Sequence, residues 1–145
     1  MQTVVDFFQS VLIIVNNENT TFEQKIEILV ENYIEKMKKE PNVPLFILSE
    51  IQSRPEDFLQ KIPFRQILTE TSLYKQFQQE VESGRIAEKN LVNFMTNLMA
   101  LVLVPVIAQP ILKTIGGISN AQYNQLLNER KKQIPVWVKA MFYTS

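Results

Sequence analysis

Residues 20–41 read TTFEQKIEILVENYIEKMKKEP and carry the clearest secondary-structure signal in the chain. Two overlapping capping boxes, which begin at Thr20 and Thr21, predict where a helix starts. Pro41 predicts its end near Lys39, because the residue before a proline is disfavoured in helical geometry. Between these limits apolar residues recur every three or four positions, the spacing of a helix with one buried face: Phe22, Ile26, Leu29, Val30, Tyr33, Ile34 and Met37.

The same spacing continues through the chain on both sides of this segment. Residues 2–15 are apolar around most of the helical circumference, which predicts a helix buried on several sides. Asn42 is expected to cap the next helix along the chain. Further helices are predicted at 43–51, in a short piece after Pro55, at 63–83, at 88–112 and, behind a Ser119–Gln122 capping box, at 120–141. The sequence leaves open whether residues 69–71 break the helix at 63–83.

Turn-forming residues are scarce in this chain. Only three glycines occur in 145 residues, and the dipeptides Asn-Gly and Asp-Gly, which mark β-hairpins, are missing. We therefore predict an all-α protein, a single domain of about six helices that covers residues 1–145. Pro105 is expected to kink its helix, and Pro135 is expected to kink or split the last one.

The composition excludes several classes of enzyme. The chain has no His and no Cys, so it lacks the residues of Ser-His-Asp catalysis, of Cys-His catalysis and of the common zinc sites. Lys and Arg number 15, and so do Asp and Glu; a zero formal net charge argues against a nucleic-acid surface. We therefore expect no enzyme activity, no catalytic residue, no metal site and no cofactor. An enzyme would have to use residues such as Glu50, Tyr33 or Tyr74.

Polar residues embedded in apolar helices are the first candidates for a binding site. Asn93 and Asn97 lie four residues apart, hence on one helix face, and burying an amide without a partner costs about 1–3 kcal/mol. A ligand pocket and a hydrogen-bonded subunit contact both account for them. Glu50 follows an apolar run in the same way, and the aromatic and Met residues could line a pocket or form plain core. The candidate ligand-binding residues are Phe8, Tyr33, Phe46, Glu50, Phe77, Asn93, Asn97 and Met99.

Two helices in the second half of the chain predict a homodimer. The helix at 88–112 is apolar on more than one side, and a monomer rarely leaves so large an apolar surface exposed. The last helix repeats mostly apolar residues at three- and four-residue steps, and a two-fold contact would let this surface bury itself. The predicted interface consists of Leu98, Leu101, Val102, Tyr123, Leu127, Arg130, Ile134, Trp137 and Met141.

Neither apolar run of the sequence is long enough to cross a bilayer. Residues 11–15 are too few, and residues 98–108 supply about half of the ~20 residues needed and contain Pro105. No positive charge precedes the first apolar stretch, as a signal peptide would require. We therefore expect a cytoplasmic protein without a membrane partner.

Two stretches of the chain resemble a known family. Residues 25–55 read KIEILVENYIEKMKKEPNVPLFILSEIQSRP, and residues 84–112 read GRIAEKNLVNFMTNLMALVLVPVIAQPIL. The first resembles the ligand-binding domain of tetracycline-repressor-type (TetR/AcrR) transcriptional regulators, where a helix ends at a proline, a segment like PNLPLFVLNEL follows and an Arg-Pro or Asn-Pro turn closes it. The second is similar to a later signature of that family, a Gly-Arg/Glu-Ile turn followed by a long apolar helix with Leu-x-x-Pro. The order and separation of the two blocks agree, and the resemblance covers essentially the whole chain.

The resemblance implies a regulatory domain that binds a small apolar or amphipathic effector and forms a homodimer. It also implies a hydrophobic pocket among the earlier helices and a four-helix bundle built by the last two helices of each subunit. Family members carry an N-terminal helix-turn-helix domain that nothing in residues 1–145 matches, so DNA would be reached only through a domain missing from this chain. The alternative is a helical protein-interaction or scaffold domain without a small-molecule ligand.

Overall fold

The computed structural model describes residues 2–144, apart from the side chain of Thr3. Over these residues the chain is all-helical, as predicted, with an isolated antiparallel bridge between Ile86 and Tyr143. The described part has nine helices instead of about six, because the short piece after Pro55 forms a helix of its own and two long predicted helices divide. The helices are α1 (Gln2–Val15), α2 (Phe22–Lys39), α3 (Val43–Ser53), α4 (Pro55–Lys61), α5 (Phe64–Thr69), α6 (Ser72–Glu82), α7 (Leu91–Ile107), α8 (Gln109–Ile115) and α9 (Asn120–Phe142).

The predicted helix at 63–83 divides into α5 and α6 at a buried threonine. Thr71 has extended backbone geometry, and its hydroxyl accepts a hydrogen bond from the backbone N–H of Tyr74 at 3.4 Å. This makes Thr71 the N-cap of α6. The same hydroxyl donates to Ile67 O of α5 at 2.9 Å. One side chain therefore ends one helix and begins the next, which answers the question that the sequence left open.

The predicted helix at 88–112 divides at Ala108, where α8 turns away from α7 by 61°. Pro110 lies in the first turn of α8, where a missing N–H breaks no helical hydrogen bond. Within residues 2–144 no helix is by itself long and apolar enough to cross a bilayer, and α7 with α8 reaches that length only across the bend. Pro105 and Pro135 lie inside α7 and α9, and both helices continue through them without splitting.

Three predicted N-terminal caps can be compared with the structure. Thr21 and Gln24 form the capping box of α2, with backbone N–H to side-chain distances of 2.9 and 3.1 Å. Ser119 and Gln122 form the same motif at the start of α9, at 2.8 and 3.1 Å. Both predictions are confirmed, whereas the overlapping box predicted at Thr20 does not form, because the Thr20 hydroxyl donates to Asn17 O and accepts from Lys25 Nζ. Asn42 precedes α3 but has helical backbone angles and makes no side-chain capping hydrogen bond within the described chain, so that prediction is wrong.

α2 lies at the centre of the fold. It packs on α1, α6, α7 and α9, and its contact with α9 is the most extensive between any two helices of the described chain. The predicted apolar face of α2 is buried, with Tyr33 partly exposed at its edge. On the facing side of α9 the buried residues are Tyr123, Leu127, Ile134 and Val138. Full burial of one large apolar side chain contributes roughly 1.5–3 kcal/mol, so this helix pair supplies much of the core.

Polar contacts hold the outer edge of the same helix pair. Glu35 of α2 accepts hydrogen bonds from Lys131 of α9 and from Lys38, the latter at 3.2 Å. Lys38 also donates to Asn128 of α9 at 2.8 Å. The hydrogen bonds from Lys131 and Lys38 lower the pKa of the Glu35 carboxyl. Because these side chains remain partly exposed, the network orients the two helices and adds little stability.

Lys25 is fully buried and holds the loop between α1 and α2. Its Nζ donates to Asn17 O at 2.5 Å, to Thr20 O at 2.7 Å and to Thr20 Oγ1 at 2.8 Å. Gln76 of α6 donates to the same Thr20 carbonyl at 2.7 Å. Burial lowers the pKa of the Lys25 ammonium. Polar contacts at this loop therefore join α1, α2 and α6 beside the apolar core.

Candidate functional site

The outer faces of α7, α8 and α9 enclose an open, mostly apolar groove of about 450 Å³, which we call the α7–α9 groove. Volumes of this size are typical of small-molecule sites. The α7 side and the turn into α8 contribute Asn97, Ala100, Leu101, Val104, Pro105, Ala108 and Leu112. The α9 side contributes Leu126, Arg130 and Met141.

Helical spacing gives α7 and α9 two different apolar faces each. On α7, Leu98, Val102 and Val106 are buried in the core. The neighbouring row of α7 side chains, about one position away along the sequence, lines the groove. On α9 Leu127, Ile134 and Val138 are buried in the core, and the residues that line the groove again occupy the adjacent stripe. The groove is therefore the second apolar face that a helix apolar on several sides must present.

Pro105 shapes the wall of the groove by removing a backbone donor from α7. A proline has no N–H, so the carbonyl four residues earlier, Leu101 O, loses its helical partner. Arg130 Nη2 of α9 donates to Leu101 O at 2.6 Å and replaces that partner. Tyr123 Oη of α9 donates to the carbonyl of Pro105 itself at 3.1 Å. Two α9 side chains therefore satisfy the carbonyls around the proline and fix α7 against α9.

Arg130 brings a positive charge into this apolar wall. Its guanidinium lies 5.2 Å from the centre of the Trp137 ring, within cation–π range. Its Nε is buried and has no hydrogen-bond acceptor among the described residues. Burial lowers the pKa of the Arg130 guanidinium. No carboxylate belongs to the groove lining, and Arg130 makes no ion pair with a described residue.

The structure corrects part of the interface predicted from the sequence. Five of the nine predicted residues are buried inside the chain itself and have no surface to offer a second copy: Leu98, Val102, Tyr123, Leu127 and Ile134. Leu101, Arg130 and Met141 line the α7–α9 groove. Trp137 is 37% exposed beside Arg130. Periodicity identified helices with two apolar faces but assigned several core residues to the outer one.

Among the described residues, the predicted ligand residues fall into different clusters. Phe8 packs against Phe58 and Phe64, with ring centroids 5.9 and 5.0 Å apart. Phe77 belongs to another aromatic cluster, with the Phe22 and Phe94 rings at 5.8 and 5.6 Å. These rings contact one another directly. Phe8 and Phe77 therefore belong to the packed core of the described chain.

Tyr33 lies beside the first of these aromatic clusters. Its ring is 4.6 Å from the Phe7 ring, and its hydroxyl is buried without a hydrogen bond of normal geometry to a described residue. Burial raises the pKa of Tyr33 to about 12, and the nearby Ser10 hydroxyl opposes the shift. A phenol that stays protonated at neutral pH can donate a hydrogen bond, and no acceptor in the described chain receives it.

The remaining predicted ligand residues lie on α3 and α7. Phe46 and Met99 are exposed on α3 and α7, and Glu50 is partly buried on α3. Asn93 is exposed, and its side chain donates to Glu88 at 2.5 Å. Asn97 donates to Asn93 O at 2.9 Å and is the one member of the predicted set that lines the α7–α9 groove.

Sequence reasoning missed several residues of the groove wall. The sequence pattern assigns no site role to Ala100, Val104, Ala108 and Leu126. The first three continue the helical spacing that starts at Asn97, and Leu126 lies four residues before Arg130. The sequence feature that could have revealed them is a second row of residues along α7, several of them small. Small residues let another chain or a ligand approach the backbone closely. Pro105 predicts a kink from the sequence alone, whereas the acceptor role of the carbonyl four residues earlier depends on Arg130 of another helix.

A smaller cleft of about 140 Å³ lies between α2 and α9 on another side of the molecule. Glu23 and Lys139 form an ion pair at 3.7 Å on its rim, and Lys139 lies 5.7 Å from the Tyr143 ring centre. Burial and the nearby Glu23 and Glu80 carboxylates raise the pKa of Tyr143. The exposed ion pair and the small volume favour a structural role for this cleft.

Comparisons with known proteins do not add an identification. No protein-family model and no curated protein matches the chain. Among the described residues, no group of three or more Asp and Glu side chains is placed to hold a metal ion. The α7–α9 groove is therefore the strongest candidate site, and its chemistry is that of an apolar surface with one embedded cation.

Proposed function

We propose that this chain is the effector-binding and dimerisation domain of a TetR-like transcriptional regulator, and that two copies meet through the α7–α9 groove. The observation that carries the proposal is the exposed apolar surface around this groove. Val104 is 54% exposed and Met141 is 51% exposed, although both are large apolar residues. Ile111 and Ile115 of α8 are large apolar residues that are exposed as well. Contiguous apolar patches on a monomer commonly mark a protein contact.

A second copy of the same chain suits the shape of this surface. α7 and α9 pack side by side and present a two-helix face, and a two-fold axis would place it against an identical face. Four helices would then pack together as in a four-helix bundle. A stable contact of this kind buries at least roughly 1,000 Å² in total. The resemblance to the TetR family, which covers both halves of the chain, favours the same pair of helices.

The proposed regulatory mechanism is a population shift. An effector that binds one arrangement of the helices more tightly than another moves the equilibrium toward that arrangement. In the whole regulator this would change the spacing of two DNA-binding domains and hence the affinity for paired half-sites. The present chain would supply sensing and pairing in the cytoplasm, with an apolar or amphipathic effector.

The oligomeric state tests this proposal. We expect the unmodified chain to be a dimer by light scattering and Val104→Glu to be a monomer, because a charge would be buried at the contact. Val92→Glu is the matched control, since Val92 also lies on α7, is 54% exposed and does not line the groove. A monomeric unmodified chain, or a dimer that survives Val104→Glu, contradicts the proposal.

The second candidate is a helical protein-interaction domain without a small-molecule ligand. One observation favours it: the rings around Phe8 and Phe77 contact one another and fill the interior where a pocket was expected. In that case the exposed groove face would bind a different protein. A chain that remains monomeric, binds no small amphipathic molecule and forms a stoichiometric complex with another protein would favour this candidate.

A further inference from the structure

The unsatisfied cation in the α7–α9 groove points to the chemistry of a ligand. Arg130 is the single charged residue among the described residues that line the groove. A guanidinium carries five N–H donors. One of them is used on Leu101 O, and Nε is buried without an acceptor. A charge in apolar surroundings is normally paired, so the groove is complementary to an anion.

We propose that the α7–α9 groove binds an amphipathic carboxylate, with the carboxylate on Arg130 and the apolar chain along the groove. Arginine is suited to this headgroup because its planar fork matches the two oxygens of a carboxylate. The apolar wall offers Leu101, Val104, Leu112, Leu126 and Met141 to the chain. This deepens the proposed function by giving the chemical class of the effector.

The dimensions of the groove agree with such a ligand. Its α7 wall extends from Asn97 to Ala108, which corresponds to about 16 Å of helical rise. A saturated chain of ten carbons fits within this length. The volume of about 450 Å³ also lies within the range of small-molecule sites. A small inorganic anion would leave most of the apolar wall in contact with water.

Arg130 would couple the ligand to the shape of the molecule. The guanidinium satisfies the carbonyl that Pro105 leaves free, next to the 61° bend between α7 and α8. A carboxylate would accept from N–H groups that Leu101 O leaves unused, so one guanidinium would hold both the ligand and the carbonyl. The groove is also the surface on which the second copy is proposed to lie, so a carboxylate in the groove favours separated copies over paired ones, which would be the population shift that the effector produces; this clause rests on the proposed function.

Calorimetric titration with decanoate tests the site, with 1-decanol as the neutral probe of similar length. We expect decanoate to bind at least tenfold more tightly than 1-decanol, because only the acid pairs with Arg130. Arg130→Gln should weaken decanoate binding at least tenfold. Lys132→Gln is the matched control, since it removes a positive charge from an exposed position of the same helix. The proposal is overturned if the unmodified chain binds decanoate and 1-decanol with equal affinity, or if Arg130→Gln and Lys132→Gln bind decanoate with equal affinity.

A second variant guards against loss of folding in Arg130→Gln. Val104→Glu places a negative charge on an exposed position of the groove wall and should also weaken decanoate binding at least tenfold, with an unchanged circular dichroism spectrum. Light scattering on the same samples separates the two proposals. A monomer without decanoate contradicts the dimer, whereas absence of decanoate binding to the chain diluted until it is monomeric contradicts the groove site. A dimer that persists with bound decanoate contradicts the competition between decanoate and the second copy for the groove.

Discussion

Lys25 illustrates, at the scale of a residue, how a charge can be buried without a carboxylate. Three oxygens from Asn17 and Thr20 surround its ammonium at 2.5–2.8 Å. Each hydrogen bond to a charged donor contributes roughly 1.5–3 kcal/mol, and removal of the donor leaves the acceptors unsatisfied. The helical spacing of α2 could not reveal this, because Lys25 lies next to the apolar stripe and looks like an ordinary surface lysine.

Replacement of this lysine should therefore be costly. We expect Lys25→Met to lower the free energy of unfolding by about 2–3 kcal/mol, because the loop carbonyls lose their donor while the apolar stem is kept. Lys39→Met is the control, since Lys39 is exposed at the end of the same helix and its loss should change stability by less than about 0.5 kcal/mol. Urea denaturation of both variants measures the difference. Equal, small effects would show that Lys25 is not a structural donor.

Tyr33 gives a pH-dependent prediction at the same scale. Its pKa in the folded chain is about 12, above the ordinary value of 10.0, because burial favours the neutral phenol. Between these two values the unfolded chain has lost the proton that the folded chain retains, so stability is full below pH 10 and falls as the pH rises toward 12. Burial raises the pKa values of Tyr123 and Tyr143 as well, which adds to this loss.

Tyr33→Phe should reduce the loss of stability at alkaline pH and leave the stability at neutral pH unchanged. The hydroxyl is buried without a partner among the described residues, so its removal should leave stability at pH 7 unchanged within about 0.5 kcal/mol. Above pH 10 the decline in the free energy of unfolding should be less steep than in the unmodified chain, by up to about 1.4 kcal/mol per pH unit. Urea denaturation at several pH values provides the measurement, and identical slopes would contradict the assignment.

At the scale of the element, the sequence predicted helices well and their orientation poorly. Capping boxes at Thr21 and Ser119 are local, since all their groups lie within four residues, and both were found. Thr71 also caps a helix, but its second hydrogen bond joins two helices, so the break at this position was left undecided. Local hydrogen bonding is readable from sequence, whereas a contact between elements depends on how they pack.

The two faces of α7 and α9 show the same limit for the candidate site. Both helices are apolar on more than one side, and periodicity alone does not say which stripe is inward. Leu127 was placed at the subunit contact but is 2% exposed in the core, whereas its neighbour Leu126 lines the groove. The difference is a rotation of about 100° around the helix, one residue in sequence. Replacement of Leu127 by a charged residue would therefore test whether the chain folds, whereas the same replacement of Val104 tests the contact between two copies.

At the scale of the whole molecule, dimerisation would make stability depend on concentration. If two copies bury the α7–α9 groove, folding is linked to association, and a higher protein concentration favours the folded dimer. For a chain of this length we expect the Tm to rise by about 2–3 °C for each tenfold increase in protein concentration. Val92→Glu, outside the groove, should keep this dependence, and Val104→Glu should abolish it. Differential scanning calorimetry at two protein concentrations measures this dependence. If the Tm of the unmodified chain is the same at both concentrations, the α7–α9 groove does not bind a second copy of the chain.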